Sequence, residues 1–130
     1  MFSYVGIPFK HLGRDFNGAD CFGLVWLYYK HELGIELRDP QVDCTDLLQA
    51  CKTIQETASK EWQSVQTPQK NDVVLLCTRP AKTKISNHLG VYLGKNRLLH
   101  TMEDSGSYIA KVSINIILKS QIRGYLRYAS

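Results

Sequence analysis

The sequence has no continuous apolar stretch of the roughly twenty residues that a membrane-spanning helix needs. The segment before Lys10 also has neither the basic start nor the apolar run of a secretory signal peptide. We therefore expect no membrane insertion, and a chain made in the cytoplasm that needs another carrier to act outside it. Repeats, low-complexity tracts and linkers are missing too, so residues 1–130 are expected to form one domain.

Long runs of like charge are absent as well. The formal net charge is +4, and the 16 Lys and Arg residues are spread along the chain without a cluster that could follow a phosphate backbone. Nucleic acid is therefore not expected as a partner. A mildly basic surface would suit an anionic polymer such as a bacterial cell wall.

The 4 cysteines form no Cys-x-x-Cys pair and show no spacing typical of a zinc finger. An even number would permit disulfides, but a chain with 44% hydrophobic residues can build a core without them. Cys44, Cys51 and Cys77 are interpreted as buried apolar thiols. Cys21 differs from them because of the residues around it.

A helical pattern comes first in the chain, and strand patterns follow it. Asp20 is a good N-cap, and an apolar face at helical spacing runs from Leu24 to Tyr29 before Gly34 ends the helix. A second helix is predicted for Asp43–Ala58. Helices followed by an antiparallel meander predict an α+β domain. The predicted strands are Val73–Cys77, His88–Leu93, Leu98–Met102, Tyr108–Val112 and Tyr125–Tyr128.

Cys21 lies one residue inside the first predicted helix, where unpaired backbone N–H groups and the helix dipole favour an anion. The thiolate is the reactive form of cysteine, so this placement is typical of a nucleophile. Taken alone, the position would equally suit a small buried residue at a helix start. Gly23 follows closely and would let the backbone of a substrate approach the sulfur.

Two histidines strengthen the catalytic interpretation. Strand alternation places His88 on one face with Gly90 and Tyr92, opposite the aliphatic residues, and at the start of its strand it can point toward the first helix. His100 follows after one tight hairpin turn, so the two imidazoles can lie side by side. In that arrangement His88 would act as general base for Cys21, and His100 would fix the tautomer of His88.

One cysteine and two histidines could instead bind zinc, because three protein ligands and a water form a catalytic zinc geometry. Sequence spacing leaves that alternative open. No fourth ligand or carboxylate partner is evident nearby, so neither a metal nor another cofactor is expected.

Three segments together resemble the NlpC-type family of papain-like cell-wall peptidases, and more closely its branch encoded in phage tail gene clusters. The first contains the approach to the nucleophile, the second resembles a first core strand, and the third contains the two histidines. They lie within residues 6–25, 71–76 and 88–100. The combination of Asp-Cys-aromatic-Gly-Leu-Val with His-Leu-Gly-Val-Tyr-Leu-Gly makes the resemblance specific.

The resemblance implies a papain-like α+β fold, with N-terminal helices packed on an antiparallel sheet and the nucleophile at a helix start. It gives Cys21, His88 and His100 the roles of nucleophile, base and orienting residue. The implied activity is hydrolysis of peptidoglycan stem peptides, often between D-glutamate and a diamino acid, through a thioester acyl-enzyme. The implied setting is a phage tail or tail-like injection assembly with other tail proteins, acting in the virion tail or at the cell wall.

The same resemblance assigns substrate-binding residues beside the nucleophile. Asp20 takes a position that in relatives helps to hold the amino end of the substrate peptide, and Phe22 and Gly23 complete the set. Phe22 replaces a serine usual in the wider family and could reshape the pocket, while Asn71 replaces a common glycine. Phe9 replaces a tyrosine thought to help the oxyanion site, so backbone N–H groups at the helix start would stabilise more of the oxyanion.

Two alternatives stay open at the level of sequence. The chain could be a structural or assembly protein of a phage tail that keeps the fold without catalysis, although all three reactive residues are present. It could also be an amidase or an acyl-transfer enzyme with the same thioester chemistry, because substrate choice depends on loops rather than on the fold.

Overall fold

The computed structural model describes residues 3–38, 62–77 and 88–128. Within them, a six-stranded antiparallel sheet packs against a helix, which confirms the α+β class. The helices are α1 (Cys21–Leu33) and the short α2 (Ile116–Gln121), with a 3₁₀-helix at Val112–Ile114. The strands are β1 (Arg14–Asp15), β2 (Gly18–Ala19), β3 (Trp62–Val65), β4 (Val73–Leu76), β5 (His88–Gly94), β6 (Arg97–Met102), β7 (Gly106–Lys111) and β8 (Ile122–Tyr128).

Helix α1 begins and ends where its capping residues require. Asp20 has an extended backbone, and its side chain accepts a hydrogen bond from the backbone N–H of Gly23, as an N-cap does. At the other end, Gly34 has a φ of 67°, the left-handed conformation that glycine adopts most readily, and its N–H donates to the carbonyl of Tyr29. The helix predicted between these two caps is confirmed.

The sheet has the strand order β3-β8-β4-β5-β6-β7, and every neighbouring pair is antiparallel. The turn between β5 and β6 is built by Lys95 and Asn96, whose φ angles of 53° and 60° suit a two-residue hairpin. The N–H of Asn96 also donates to the hydroxyl of Tyr92 at 3.0 Å, which closes the turn. The predicted hairpin is therefore confirmed.

The two faces of the sheet pack against different parts of the chain. Leu89 and Val91 lie on the face that packs against α1. His88 and His100 lie on the other face, together with Leu98. The separation of His88 from the aliphatic residues is confirmed, while the approach of its ring to the first helix stays a prediction. Because α1 packs on the aliphatic face, only the start of this helix can approach the histidines.

Several element bounds differ from the prediction. Strand β7 begins at Gly106, and Val112 belongs to the 3₁₀-helix rather than to a strand. Strand β8 begins at Ile122 rather than at Tyr125. Strand β3 and helix α2 had no counterpart in the prediction. The predicted helix Asp43–Ala58 lies outside the described residues.

Cys77 is buried, as its interpretation requires. Cys44 and Cys51 lie outside the described residues. None of the helices in the described part of the chain is both long enough and apolar enough to cross a membrane.

Candidate active site

The start of α1 is held by the carboxylate of Asp20. Its Oδ1 accepts hydrogen bonds from the backbone N–H of Gly23 at 2.7 Å and from Nη1 of Arg14 at 2.8 Å, and its Oδ2 accepts one from the N–H of Leu12 at 3.1 Å. Asp20 is fully buried, so its charge relies on this ion pair and these hydrogen bonds for compensation. The first turn of α1 is thereby fixed, and Cys21, its first residue, is buried.

Phe22 and Gly23 both contact the segment that precedes the helix. A Cβ atom on Gly23 would overlap the carbonyl oxygen of Gly13 and would lie 2.9 Å from Nη1 of Arg14, so this position must be a glycine for the segment to pack on α1. The guanidinium carbon of Arg14 lies 5.3 Å from the centroid of the Phe22 ring. Contacts of these residues and of Asp20 with a substrate stay predictions. Their contacts within the protein hold the residues on either side of Cys21 in sequence.

The two histidines meet across the β5–β6 hairpin. Nε2 of His88 lies 3.1 Å from Nδ1 of His100, and both residues are buried. Gly90 permits this approach, because a Cβ atom there would lie 3.1 Å from the Cβ of His100 and 2.8 Å from the carbonyl oxygen of Leu99. The predicted proximity of the two imidazoles is confirmed, while their catalytic roles stay predictions.

Burial determines the charge of both rings. It lowers the pKa of His88 to about 3, and the neighbouring His100 adds to the effect. Burial also lowers the pKa of His100 to about 4. Both imidazoles are therefore neutral at neutral pH, and one of the two facing nitrogens carries the shared proton. If Nε2 of His88 is the donor, Nδ1 of His88 is its basic nitrogen.

A second set of contacts joins α1 to the start of β4. The hydroxyl of Tyr28 donates to Oδ1 of Asn71 at 2.6 Å, and the hydroxyl of Tyr29 donates to the carbonyl oxygen of Asn71. Asn71 has a φ of 81°, which agrees with the left-handed conformation expected where relatives carry glycine. Next to it, the buried carboxylate of Asp72 forms a bidentate ion pair with Arg127. Nε of Arg127 donates to Oδ1 at 3.0 Å, and Nη2 donates to Oδ2 at 2.8 Å. These contacts set the position of the helix on the sheet.

Two residues that shape the site were not singled out from the sequence. Nothing in the sequence around Arg14 indicated that it contacts the helix start, since it is one cation in a glycine-rich segment. Gly90 could have been recognised, because a glycine inside a strand indicates a close approach of another part of the backbone. That glycine lies between the two histidines and could have predicted the tight packing of β6 at this point.

A zinc site would require Cys21 and the two histidines to converge. Among the residues that the structure describes, no three His, Cys, Asp or Glu side chains are grouped so that they could hold a metal ion.

Known proteins similar to this chain share one family description. The model of the NlpC/P60 family matches residues 6–125. A Staphylococcus aureus protein, described as similar to a lipoprotein of the NLP/P60 family, is 24% identical with a TM-score of 0.64, and the match covers 98% of this chain and 38% of that protein. The NlpC/p60 domain of the peptidoglycan hydrolase SagA is 16% identical with a TM-score of 0.59, over 98% of this chain and 90% of that one.

A further similar structure is RipD from Mycobacterium tuberculosis, described as a non-catalytic NlpC/p60 domain protein adapted to peptidoglycan binding. It is 20% identical with a TM-score of 0.57, over 94% of this chain and 85% of RipD. No curated protein sequence matches the chain. At these identities the solved structures establish the fold, and the chain corresponds to 38% of the length of the Staphylococcus aureus protein.

Proposed function

The chain belongs to the NlpC/P60 family, and on that basis we propose that it is a cysteine peptidase that hydrolyses the stem peptides of peptidoglycan. The observation that supports this most strongly is the buried, neutral pair of His88 and His100, joined at 3.1 Å across one hairpin. Cys21 is buried and is the first residue of helix α1. A nucleophile, a base and a residue that orients the base are the parts that a papain-like hydrolysis needs.

The proposal requires Sγ of Cys21 to lie within reach of Nδ1 of His88. Both residues stand at the first position of their element, and α1 and β5 contact each other. Their side chains can therefore meet at the margin of the sheet, although the body of α1 packs on the aliphatic face. Nε2 of His88 is engaged with His100, so Nδ1 is the nitrogen that would take the proton of the thiol.

The chemistry follows from these positions. Nδ1 of His88 takes the proton from Sγ of Cys21, and the thiolate attacks the carbonyl carbon of the peptide bond. Backbone N–H groups at the start of α1 stabilise the resulting oxyanion. The imidazolium then protonates the leaving amine, the C–N bond breaks, and a thioester is left. Water, deprotonated by His88, hydrolyses the thioester and restores the thiol. Nδ1 of His100 accepts a hydrogen bond from the Nε2–H of His88 and holds its ring throughout.

We extend the proposal to the bond between D-glutamate and a diamino acid, and to a phage tail or tail-like injection assembly as the setting. Both extensions are supported by the resemblance of residues 6–25, 71–76 and 88–100 to the tail-encoded branch of the family. The net charge of +4 also suits binding to an anionic wall polymer. Product masses test the bond, and co-fractionation with assembled tails tests the setting.

The test incubates the purified protein with peptidoglycan fragments and identifies the released peptides by mass spectrometry. Cys21→Ala is compared with Cys77→Ala, the matched control, because Cys77 is also a buried cysteine but has no part in the proposed chemistry. The proposal expects fragments cut at one bond by the wild type and by Cys77→Ala, and no cutting by Cys21→Ala.

Two other results would contradict the proposal in different ways. Intact fragments, together with a Cys21 that is unreactive toward a thiol probe at neutral pH, would favour peptidoglycan binding without catalysis, as described for RipD. Cys21-dependent transfer of the acyl group to an added amine, without release of free acid, would instead identify an acyl-transfer enzyme.

A further inference from the structure

His100 is covered from the neighbouring strand by an aromatic ring. Tyr108 on β7 is the residue directly opposite His100 in the β6–β7 register. The centroids of the two rings are 4.6 Å apart, with an angle of 52° between the ring planes. Tyr108 is 37% exposed whereas His100 is 4% exposed, so the tyrosine lies between the imidazole and solvent.

The His100 ring has one nitrogen engaged and one that is not. Nδ1 faces His88, while Nε2 is buried and has no hydrogen-bond partner among the described residues. When Nδ1 accepts a hydrogen bond from the Nε2–H of His88, Nε2 must carry the hydrogen of the neutral His100 ring. A buried N–H without a partner costs free energy, and it would bind water if water could reach it. On the β7 side, the ring of Tyr108 therefore limits the access of water to Nε2 of His100.

We propose that Tyr108 is a positioning residue of the active site, which fixes the His100 ring and keeps the histidine pair dry. This rests on the proposed function, in which His100 orients His88. The tyrosine hydroxyl has no part in the effect, because the ring is what contacts His100. Tyr108→Phe is therefore expected to behave as the wild type.

The consequence of uncovering His100 is a change in its titration. The titratable groups placed to act on it are His88 from β5, Tyr108 from β7 and, in the proposed site, Cys21 from the start of α1. Burial lowers the pKa of His100 to about 4. Water at the ring would raise that pKa toward its ordinary value, and a protonated His100 can no longer accept a hydrogen bond from the Nε2–H of His88. Activity would then fall away at a higher pH than in the wild type.

Strand β7 should survive loss of the ring. On its outer edge, the N–H and carbonyl of Ser107 are paired with the carbonyl of Ile7 and the N–H of Gly6, each at 2.9 Å. Tyr108→Thr removes the ring but keeps a β-branched strand former. Ile109→Thr is the matched control, because Ile109 is the next residue of the strand, is similarly exposed and lies on the opposite face.

The experiment measures two things on wild type, Tyr108→Thr, Tyr108→Phe and Ile109→Thr. The first is the side-chain ¹⁵N titration of His88 and His100 by NMR in the free protein, which needs no activity. The second is the pH profile of kcat/KM on peptidoglycan fragments. For Tyr108→Thr alone, we expect the pKa of His100 and the acid limb of the profile to rise together by about one pH unit, with about a fivefold loss of kcat/KM near pH 4.

Each outcome separates this inference from the proposed function. An unchanged His100 titration in folded Tyr108→Thr overturns the inference, even if the enzyme is active. Equal shifts in Tyr108→Thr and Ile109→Thr overturn it as well, since they would reflect general loosening. A shifted titration in a protein that cleaves nothing supports the positioning of His100 and overturns the proposed peptidase. If Tyr108→Thr does not fold, the same comparison is made with Tyr108→Ala.

Discussion

The two ends of the candidate active site are stabilised in opposite ways. At the nucleophile end, the buried carboxylate of Asp20 accepts three hydrogen bonds, one of them from the guanidinium of Arg14. At the histidine end, two neutral rings are joined by one hydrogen bond, and burial keeps them neutral. Charge and hydrogen bonds fix the first end, whereas exclusion of water maintains the second.

The nucleophile end should therefore determine where Cys21 lies, and the histidine end should determine how readily a proton is transferred. The contacts of Asp20 determine where α1 starts, so their loss should first reduce stability and displace the nucleophile as a consequence. The histidines lie in strands that are paired on both sides through the backbone, and their ring positions and charge decide proton transfer. Damage there should reduce turnover in a protein that still folds. The predictions below test this division.

The largest effect is expected at the base itself. His88→Ala removes the group that accepts the thiol proton, and we expect kcat to fall by about a thousandfold with the fold intact. His100→Ala leaves the base but not its orientation, so a loss of about thirtyfold is expected. Rates on peptidoglycan fragments, with circular dichroism as a check of folding, measure both.

His11→Ala serves as the control for this pair, because His11 is exposed and lies outside the site. Equal losses in His88→Ala and His100→Ala would mean that the two rings act as one unit and would remove the distinction between base and orienting residue.

The next effect is a loss of stability at the nucleophile end. Asp20→Ala removes the N-cap of α1 and leaves the guanidinium of Arg14 without its buried partner. We expect the free energy of unfolding to fall by about 3 kcal/mol, measured by urea denaturation. Asp15→Ala is the control, since Asp15 is an exposed carboxylate in the preceding hairpin and should change stability by less than about 0.5 kcal/mol. A fall in activity without a fall in stability would show that Asp20 acts on substrate instead.

A smaller effect on activity is expected from adding a side-chain atom between β5 and β6, the strands that contain the two histidines. Gly90→Ala would put a Cβ atom 2.8 Å from the carbonyl oxygen of Leu99 and 3.1 Å from the Cβ of His100, so β6 must move. We expect about a tenfold loss of kcat, because a displaced His100 no longer aligns His88. Gly124→Ala is the control, since the nearest atom to its Cβ would be a side-chain carbon of Leu75 at 3.9 Å. Similar losses in both variants would contradict the argument from close approach.

Sequence reasoning worked best where the determinants are local. The caps Asp20 and Gly34 and the turn at Lys95 and Asn96 act within a few residues, so helix α1 and the histidine hairpin could be predicted from them. Alternation also showed that His88 lies opposite the aliphatic residues. It could not show which face meets α1, because that depends on how the chain connects the helix to the sheet.

Contacts between residues that are distant in sequence produce no sequence pattern from which they could be predicted. Trp62 of strand β3 lies opposite Tyr128 of the last strand. Asp72 forms an ion pair with Arg127 of that same strand. Each pair joins residues that are distant in sequence, and each partner alone looks like an ordinary strand or loop residue. Such contacts become visible only when the strand order is known.

The smallest effect, and the one most specific to the histidine end, is on stability against pH. Burial holds the pKa of His88 near 3 and that of His100 near 4, below the ordinary 6.5 of an unfolded chain. Between these values the unfolded state binds more protons than the native state, so stability rises with pH and is lost as pH falls below about 6.5. From pH 6.5 to 5.5 the expected loss is about 1 kcal/mol for each histidine, measured by urea denaturation above the range where carboxylates titrate. His100→Gln should flatten this slope, because glutamine cannot bind the proton. A slope that His100→Gln leaves unchanged would mean that His100 is already hydrated in the native protein, and the contrast between a charged end and a dry end of the site would fail.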